Sequence, residues 1–123
     1  MTIIEAINAA DKRKPNMLSE GEKVRLLSSL DGKIKLEIID THEGGEGVSF
    51  AAYTEDTPRD TVLLVPFPWD DLYIKYLEAH IDYYLSDTDR YNNSVAVYNE
   101  AYEAFAAWYN RTHMPLSPRI SYF

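Results

Sequence analysis

Apolar side chains recur at intervals of three and four residues in four stretches of the chain, and this spacing predicts four helices. The first helix covers about residues 3–11 and begins at a capping box formed by Thr2 and Glu5. The second covers about residues 20–40 and follows a similar pair, Ser19 and Glu22. The pattern therefore predicts a mainly α fold, a small helical bundle of about four helices.

The third and fourth helices are predicted within residues 69–110, a stretch rich in tyrosine. The apolar stripe of the third helix comprises Leu72, Tyr73, Tyr76, Leu77, His80, Ile81, Tyr84 and Leu85. The fourth carries large side chains at heptad spacing, namely Tyr91, Val95, Tyr98, Tyr102, Phe105 and Tyr109. Residues 86–89 have the composition of a turn followed by a new helix start. The pattern leaves open whether residues 69–110 form two helices or one bent helix.

An insertion over about residues 41–65 separates the second predicted helix from the third. Its glycine-rich beginning, residues 41–47, stops the helix because glycine accepts the positive φ angles of a turn. Residues 48–53 and 61–65 are rich in β-prone side chains and flank the acidic turn sequence TEDTPRD. We therefore expect a β-hairpin or an extended arm between helices 2 and 3, packed on the helices or on another subunit.

The C-terminal stretch differs from the helices before it. Pro115 and Pro118 preclude a continuous helix, so residues 113–123 are expected to form an extended tail. The tail ends in apolar side chains, which favours docking on a core or on a neighbouring chain. Together these patterns predict one helical domain over residues 1–123.

The charge of the chain is concentrated in its middle. The formal net charge is −8, and residues 41–89 contain eleven acidic side chains against two basic ones. This balance argues against a nucleic-acid-binding face there, because phosphate contacts need lysine and arginine. It fits either a solubilising surface or a face for a basic partner or a second copy of the chain. The basic triplet at residues 12–14 is interpreted as a solvated helix end.

The chain contains no catalytic constellation that its residues make recognisable. It has no cysteine, and the histidine and glutamate at residues 42–43 lack the rest of a zinc-protease motif. Asp70 and Asp71 are interpreted as helix-capping residues, and His80 as a packed core residue. Residues 87–89 lack the glycine and glutamate of a calcium loop. We expect no enzymatic activity, no cofactor and no metal site, and the absence of a long apolar run predicts a soluble, intracellular product without a membrane partner.

The aromatic content favours contacts with other chains. Twelve of the sixteen aromatic residues lie between Phe67 and Tyr109, more than a small core needs, and tyrosine suits half-buried sites where its hydroxyl stays in water. Aromatic residues are also enriched at protein interfaces. The predicted interface residues are Phe50, Tyr53, Leu63, Leu64, Phe67, Trp69, Tyr98, Tyr102, Ile120, Tyr122 and Phe123.

Three segments carry a resemblance to a known family: DTHEGGEG, LLVPFPWDDLYIKYLEAHID and RYNNSVAVYNEAYEAFAAWYNRTHMP. From about residue 17 to 115 the chain resembles small head–tail connector proteins, also called adaptor or neck proteins, of tailed phages and prophages of Gram-positive bacteria. The resemblance implies a helical bundle with a long loop or hairpin, several copies of which form a ring beneath the portal. It implies no catalytic residues. It also implies a location in the bacterial cytoplasm during assembly and in the virion neck afterwards.

Two functions of different class follow from these expectations. The first is a non-enzymatic assembly protein, a connector subunit that contacts itself, the portal and tail-completion proteins. The alternative is an acidic protein-binding module of mobile-element origin that inhibits or regulates a basic host protein. Neither function requires recognition of a specific nucleic-acid sequence.

Overall fold

The structure, a computed structural model, describes residues 1–116, and it is mainly helical. Its four α-helices are α1 (Ile3–Arg13), α2 (Glu20–Ile34), α3 (Leu72–Tyr84) and α4 (Thr88–Thr112). The predicted four-helix architecture is therefore confirmed. None of the helices within residues 1–116 is long and apolar enough to cross a membrane. Three of the predicted interface residues lie outside the described part of the chain, namely Ile120, Tyr122 and Phe123.

The helices α3 and α4 form an antiparallel pair joined by a tight turn. Ring contacts join Tyr83 to Tyr91 and Tyr76 to Tyr98, so the partner's number rises along α4 as it falls along α3. Ser86 has a φ angle of 58° in the turn, and the Asp87 side chain accepts a hydrogen bond from the backbone N–H of Arg90 at 3.1 Å. The stretch that the sequence left open is therefore two helices.

Local capping fixes the starts of α1 and α2. Thr2 accepts a hydrogen bond from the Glu5 backbone N–H at 3.2 Å, and the Glu5 carboxylate accepts one from the Thr2 backbone N–H at 2.9 Å. This confirms the first predicted capping box. The second is only half formed, since Ser19 accepts from the Glu22 backbone N–H at 3.1 Å without a reciprocal bond. A π-helical turn, Lys35–Ile39, continues α2 almost to the predicted end of the second helix.

The segment between α2 and α3 does not form the predicted β-hairpin. Its extended part bonds to the start of the chain instead, through backbone hydrogen bonds from Ile3 to Thr61 at 3.0 Å and from Leu63 to Met1 at 2.9 Å. A two-stranded hairpin alone is marginally stable in water. Burial of Leu63 and Val65 in the helical core therefore decides the path of this segment, which the structure shows as an irregular arm.

The core draws on all four helices and on the arm, but α4 contributes little to it. Among its 25 residues only Tyr98, Phe105 and Tyr109 are buried. The predicted stripe of α3 is buried at Leu72, Tyr73, Leu77 and Ile81 and half-buried at Tyr76 and His80. It is wrong beyond Ile81, because Tyr84 and Leu85 are exposed. The helix reaches past the core at this end, so its apolar periodicity continues where no neighbouring element covers it. The fully buried large side chains include Tyr73, Phe105, Ile3, Leu27, Leu30, Ile34, Leu72, Leu77 and Ile81.

The glycine turn after the π-helical segment gives a stability prediction. A Cβ atom on Gly45 would stand 2.4 Å from the carbonyl oxygen of Ile39 and 3.1 Å from the Cα of Asp40, both backbone atoms. We expect Gly45→Ala to lower the free energy of unfolding by about 1–3 kcal/mol, the usual cost of forcing extra atoms into a packed site.

Gly47→Ala is the matched control for Gly45→Ala, because nothing lies within 4 Å of the Cβ it would add. It should change the free energy of unfolding by no more than about 0.5 kcal/mol. Urea unfolding followed by circular dichroism measures both variants. Equal losses in the two would show that close approach of the backbone at Gly45 is not the reason glycine is required.

Candidate functional site

Tyrosine and histidine rings line one side of the α3–α4 pair, and the rest of the protein covers them only in part. Tyr76 contacts His80 with ring centroids 4.6 Å apart and Tyr98 at 5.1 Å, and Tyr83 contacts Tyr91 at 5.3 Å. We call these five residues the aromatic face. Antiparallel packing of α3 on α4 produces it, because aromatic residues at helical spacing on both helices meet in cross-helix pairs.

Two adjoining grooves follow the aromatic face. One, of about 410 Å³, is lined by all five of its residues. The other, of about 620 Å³, lies at the α3–α4 turn and shares Tyr83 and Tyr91 with the first. Its remaining lining residues are Asp82, Tyr84, Ser86, Asp87, Thr88 and Asn92.

The α3–α4 turn exposes an apolar corner beside the larger groove. Tyr83, Tyr84 and Leu85 are 67%, 56% and 50% exposed, and they are consecutive in the sequence. Single exposed apolar residues are common on protein surfaces, whereas contiguous ones mark sites of contact with other molecules. The corner and the aromatic face together form the candidate functional site.

The aromatic face carries little charge of its own near neutral pH. Burial raises the pKa of Tyr76 and of Tyr98, so both phenols stay protonated. Burial lowers the pKa of His80, which favours the uncharged imidazole. At the edge of the face, burial and the neighbouring Glu37 carboxylate raise the pKa of Tyr102 to about 12. The face therefore offers apolar rings with neutral hydrogen-bonding tips, which suits contact with a protein surface.

A buried ionic cluster supports the candidate site from beneath. The Asp82 side chain is only 1% exposed, and its Oδ2 accepts hydrogen bonds from Lys14 and Ser94. Burial alone would raise the pKa of Asp82, but the bonds from Lys14 and Ser94 outweigh it and hold that pKa below its ordinary value. The cluster ties the end of α1 to both α3 and α4. Lys14 is therefore a half-buried ion-pair partner, and not part of the solvated triplet predicted from the sequence.

One carboxylate oxygen of the ionic cluster makes no hydrogen bond within the described residues. Asp82 Oδ1 is buried and has no hydrogen-bond partner within residues 1–116. Buried acceptors without a partner are uncommon in folded proteins. Asp82 also lines the larger groove, so the groove has an acidic residue in its wall.

A second buried carboxylate holds the arm in place. Asp31 on α2 accepts hydrogen bonds from the hydroxyls of Tyr53 and Tyr73, each at 2.5 Å, and from the Leu64 backbone N–H at 3.1 Å. Burial raises the pKa of Asp31, and these three hydrogen bonds act in the opposite direction. The arrangement is structural, since every donor comes from an element that it attaches to α2.

The predicted interface residues fall into three groups in the structure. Phe67 is 85% exposed and projects from the arm, as an interface residue would. Leu63 and Tyr98 are buried, so they contribute to a surface only as its support. The half-buried ones already contact neighbours within the chain, and they are Phe50, Tyr53, Leu64, Trp69 and Tyr102.

The residues weighed for metal or catalytic chemistry have other partners. Asp70 pairs with the Met1 amino group at 3.3 Å and Asp71 with Lys75 at 3.2 Å, and neither caps α3 with its side chain. Asp71 thus stands at the predicted N-cap position of α3, but the capping hydrogen bond expected of these aspartates is not formed. His80 is half-buried against Tyr76 and lies on the aromatic face, not in the core. Between residues 1 and 116, no three acidic, histidine or cysteine side chains are grouped so that they could hold a metal ion.

Sequence reasoning missed the exposed corner of the site. Tyr83, Tyr84 and Leu85 are three consecutive large side chains, and successive residues on a helix point about 100° apart, so a single buried stripe cannot hold all three. That run was a usable signal for an uncovered surface at the end of α3. Tyr91 could be placed on a stripe, but its pairing with Tyr83 depends on how α4 folds back.

A scan against family models and searches among curated proteins and solved structures find no match to this chain. Evidence for the function of this chain therefore comes from its own sequence and structure.

Proposed function

We propose that this chain is a non-enzymatic assembly protein that binds copies of itself and other structural proteins through the aromatic face and the corner beside it. The observation that carries the proposal is the exposure of Tyr83, Tyr84 and Leu85 next to a groove of about 620 Å³. The resemblance of the sequence to phage head–tail connector proteins gives the specific form of this proposal. In that form the chain is one subunit of a ring between portal and tail.

The chemistry of the site suits a protein partner. Tyrosine gives large contact area at a small cost in side-chain entropy, and its hydroxyl can bond to a partner or to water. Burying Tyr83, Tyr84 and Leu85 against another chain would remove from water the apolar corner that the monomer exposes. Phe67, on the arm, gives a second exposed anchor. Ring assembly uses two different patches on each subunit, and the corner and Phe67 are candidates for the two.

A specific observation also supports the alternative, a module that binds a basic host protein. Five exposed carboxylates between α2 and α3 form no ion pair within the described residues, and they are Glu43, Glu46, Glu55, Asp56 and Asp60. Such a surface would accelerate association with a positively charged partner, and salt would weaken that effect. Assembly is the better-supported function, because acidic loops of this kind also serve solubility.

The corner gives a direct test of assembly. In the double variant Tyr84→Ser, Leu85→Ser, we expect self-association to weaken about tenfold or more, because residues central to an interface each contribute over about 1 kcal/mol. Sedimentation velocity over a range of concentrations measures the association, and electron microscopy shows whether the assemblies are rings.

Leu36→Ser is the matched control for the corner variant, since Leu36 is 70% exposed on the π-helical turn and lines neither of the two grooves. It should leave association unchanged. Wild-type protein that stays monomeric at high concentration, and binds a basic host protein in a salt-dependent way, would instead support the alternative function. Unchanged association in the corner variant would remove this surface from the proposal.

A further inference from the structure

The structure and the sequence together suggest what occupies the larger groove. We propose that the tail of one copy, residues 117–123, docks in the groove at the α3–α4 turn of the next copy. This inference rests on the proposed function, since it assumes that copies of the chain associate. It goes further by assigning both halves of the contact.

The composition of the tail matches that of the groove. The tail sequence is SPRISYF, with Ile120, Tyr122 and Phe123 as apolar anchors and Arg119 as its one charged side chain. The groove offers tyrosine rings and an exposed apolar corner. Aromatic and aliphatic side chains of a short extended segment commonly dock in such pockets, and each removes apolar surface from water.

Charge also favours this pairing. Residues 82–92, which form the turn and both groove walls, carry three acidic side chains (Asp82, Asp87 and Asp89) and one basic one, Arg90. With Lys14, which pairs with Asp82, the formal charge of this end is −1. Arg119 places one positive side chain in the tail opposite these carboxylates. Opposite charges across a contact assist encounter and fix its orientation.

The length of the chain decides between a contact within one copy and a contact between copies. Leu116 donates its backbone N–H to the Thr41 carbonyl at 2.9 Å, and the adjacent His42 contacts the ring of Tyr109 with centroids 5.1 Å apart. The described chain therefore stops beside the C-terminal end of α4. The larger groove lies at the opposite end of that helix, around Thr88.

The tail cannot place all three of its apolar anchors in that groove within its own copy. An α-helix rises about 1.5 Å per residue, so Thr88 and Tyr109 are about 31 Å apart along α4. A fully extended chain advances at most about 3.6 Å per residue, so Ile120 lies within about 14 Å of Leu116 and Phe123 within about 25 Å. The three apolar anchors can therefore fill this groove only in a neighbouring molecule.

Tail-to-groove docking has a defined consequence for assembly. The tail end of each copy contacts the turn end of the next, so the two surfaces in contact differ. Such contacts propagate until they close into a ring, or they continue as a filament. Tail docking thus provides the head-to-tail contact that a ring of identical subunits requires.

The absence of cysteine permits a clean cross-linking test. The variant Asn92→Cys places a thiol in the groove, and Tyr122→Cys places one in the tail. With both substitutions on one chain, mild oxidation should give a ladder of covalent dimers, trimers and larger species. An equal mixture of the two single variants should give covalent dimers and no larger species.

Ser29→Cys, at an exposed position of α2, replaces Asn92→Cys in the control. Combined with Tyr122→Cys it should give no ladder. A monomer with an internal disulfide in the Asn92→Cys, Tyr122→Cys protein would overturn the inference, and so would a ladder of equal yield in the control.

Sedimentation of the same samples separates this inference from the proposed function. Protein that forms oligomers without a ladder would overturn tail docking and leave the assembly function standing. Protein that stays monomeric and gives no ladder would count against both.

Discussion

Lys14→Ala is expected to lower the free energy of unfolding by about 3–5 kcal/mol, the range found when one partner of a buried ion pair is removed. The Asp82 carboxylate is 1% exposed and would keep only the hydrogen bond from Ser94. Its charge would then lie at a buried position without a direct ion-pair partner within the described residues. Urea unfolding near neutral pH measures the loss.

Lys12→Ala is the matched control for Lys14→Ala. Lys12 is exposed on the last turn of α1 and forms no ion pair within the described residues, so its removal should change the free energy of unfolding by at most about 0.5 kcal/mol. Equal effects of the two substitutions would mean that the Lys14–Asp82 pair does not stabilise the fold.

The pH dependence of Lys14→Ala tests the same ion pair. The pKa of Asp82 is lowered in the folded protein, so its contribution to stability is present above its ordinary value of 3.8 and lost as the pH falls through the folded pKa. Without Lys14, protonation of Asp82 removes an uncompensated charge. The stability difference between wild type and variant should therefore shrink as the pH is lowered toward that range.

Asp31→Ala is expected to have a comparable effect, a loss of about 3–5 kcal/mol in the free energy of unfolding. The substitution leaves the Tyr73 hydroxyl and the Leu64 N–H without their acceptor, and each unsatisfied buried group costs about 1–3 kcal/mol. A cavity in the core adds to the loss. Tyr53 is half-buried, so its hydroxyl recovers part of its bond from water.

Tyr53→Phe and Asp31→Asn sharpen the test of the Asp31 cluster. Tyr53→Phe removes one hydroxyl and keeps the ring, so it should cost about 1 kcal/mol. Burial raises the pKa of Asp31 in the folded protein. Protonation of this carboxyl therefore stabilises the folded state as the pH falls through the raised pKa, and that stabilisation is lost as the pH rises through it. Asp31→Asn cannot titrate and should lack this part of the pH dependence. If Asp31→Asn keeps the wild-type pH dependence of stability, that dependence comes from other groups.

The sequence predicted well the features that local interactions decide. The start of α1 depends on Thr2 and Glu5, which lie three residues apart, and the capping box formed as predicted. The glycine turn also follows local backbone geometry, and Gly44 has the positive φ angle of 86° that such a turn uses. These features need no information about the rest of the chain.

Features that depend on tertiary contacts could not be predicted. Residues 48–53 and 61–65 have the composition of paired strands, yet the second stretch bonds to the start of the chain and the first lies near α2. Asp31 and Asp82 look like ordinary surface acids until the fold brings tyrosines to one and Lys14 to the other. Burial of a charge is decided by partners that are far away in sequence.

The candidate site overlaps the predicted interface residues only at Tyr98. Heptad spacing placed Tyr91 and Tyr98 on one side of the last helix, and both line the aromatic face, but most of the predicted interface residues lie on the arm. Leu63 is buried there, whereas Tyr84 and Leu85, assigned to the core stripe, are exposed. Periodicity shows which residues share a side of a helix, and it cannot show where the neighbouring elements end.

The first ten residues of α4 include no buried side chain, although they form one wall of the larger groove. Segments with few buried contacts open by local unfolding at much lower free energy than the whole protein, and their amide hydrogens exchange faster. We therefore expect fast exchange over residues 88–97 in the free protein and slower exchange over residues 98–109, which contain all the buried residues of α4. A partner that binds in the groove would slow exchange in the first segment, because part of its binding energy orders that wall.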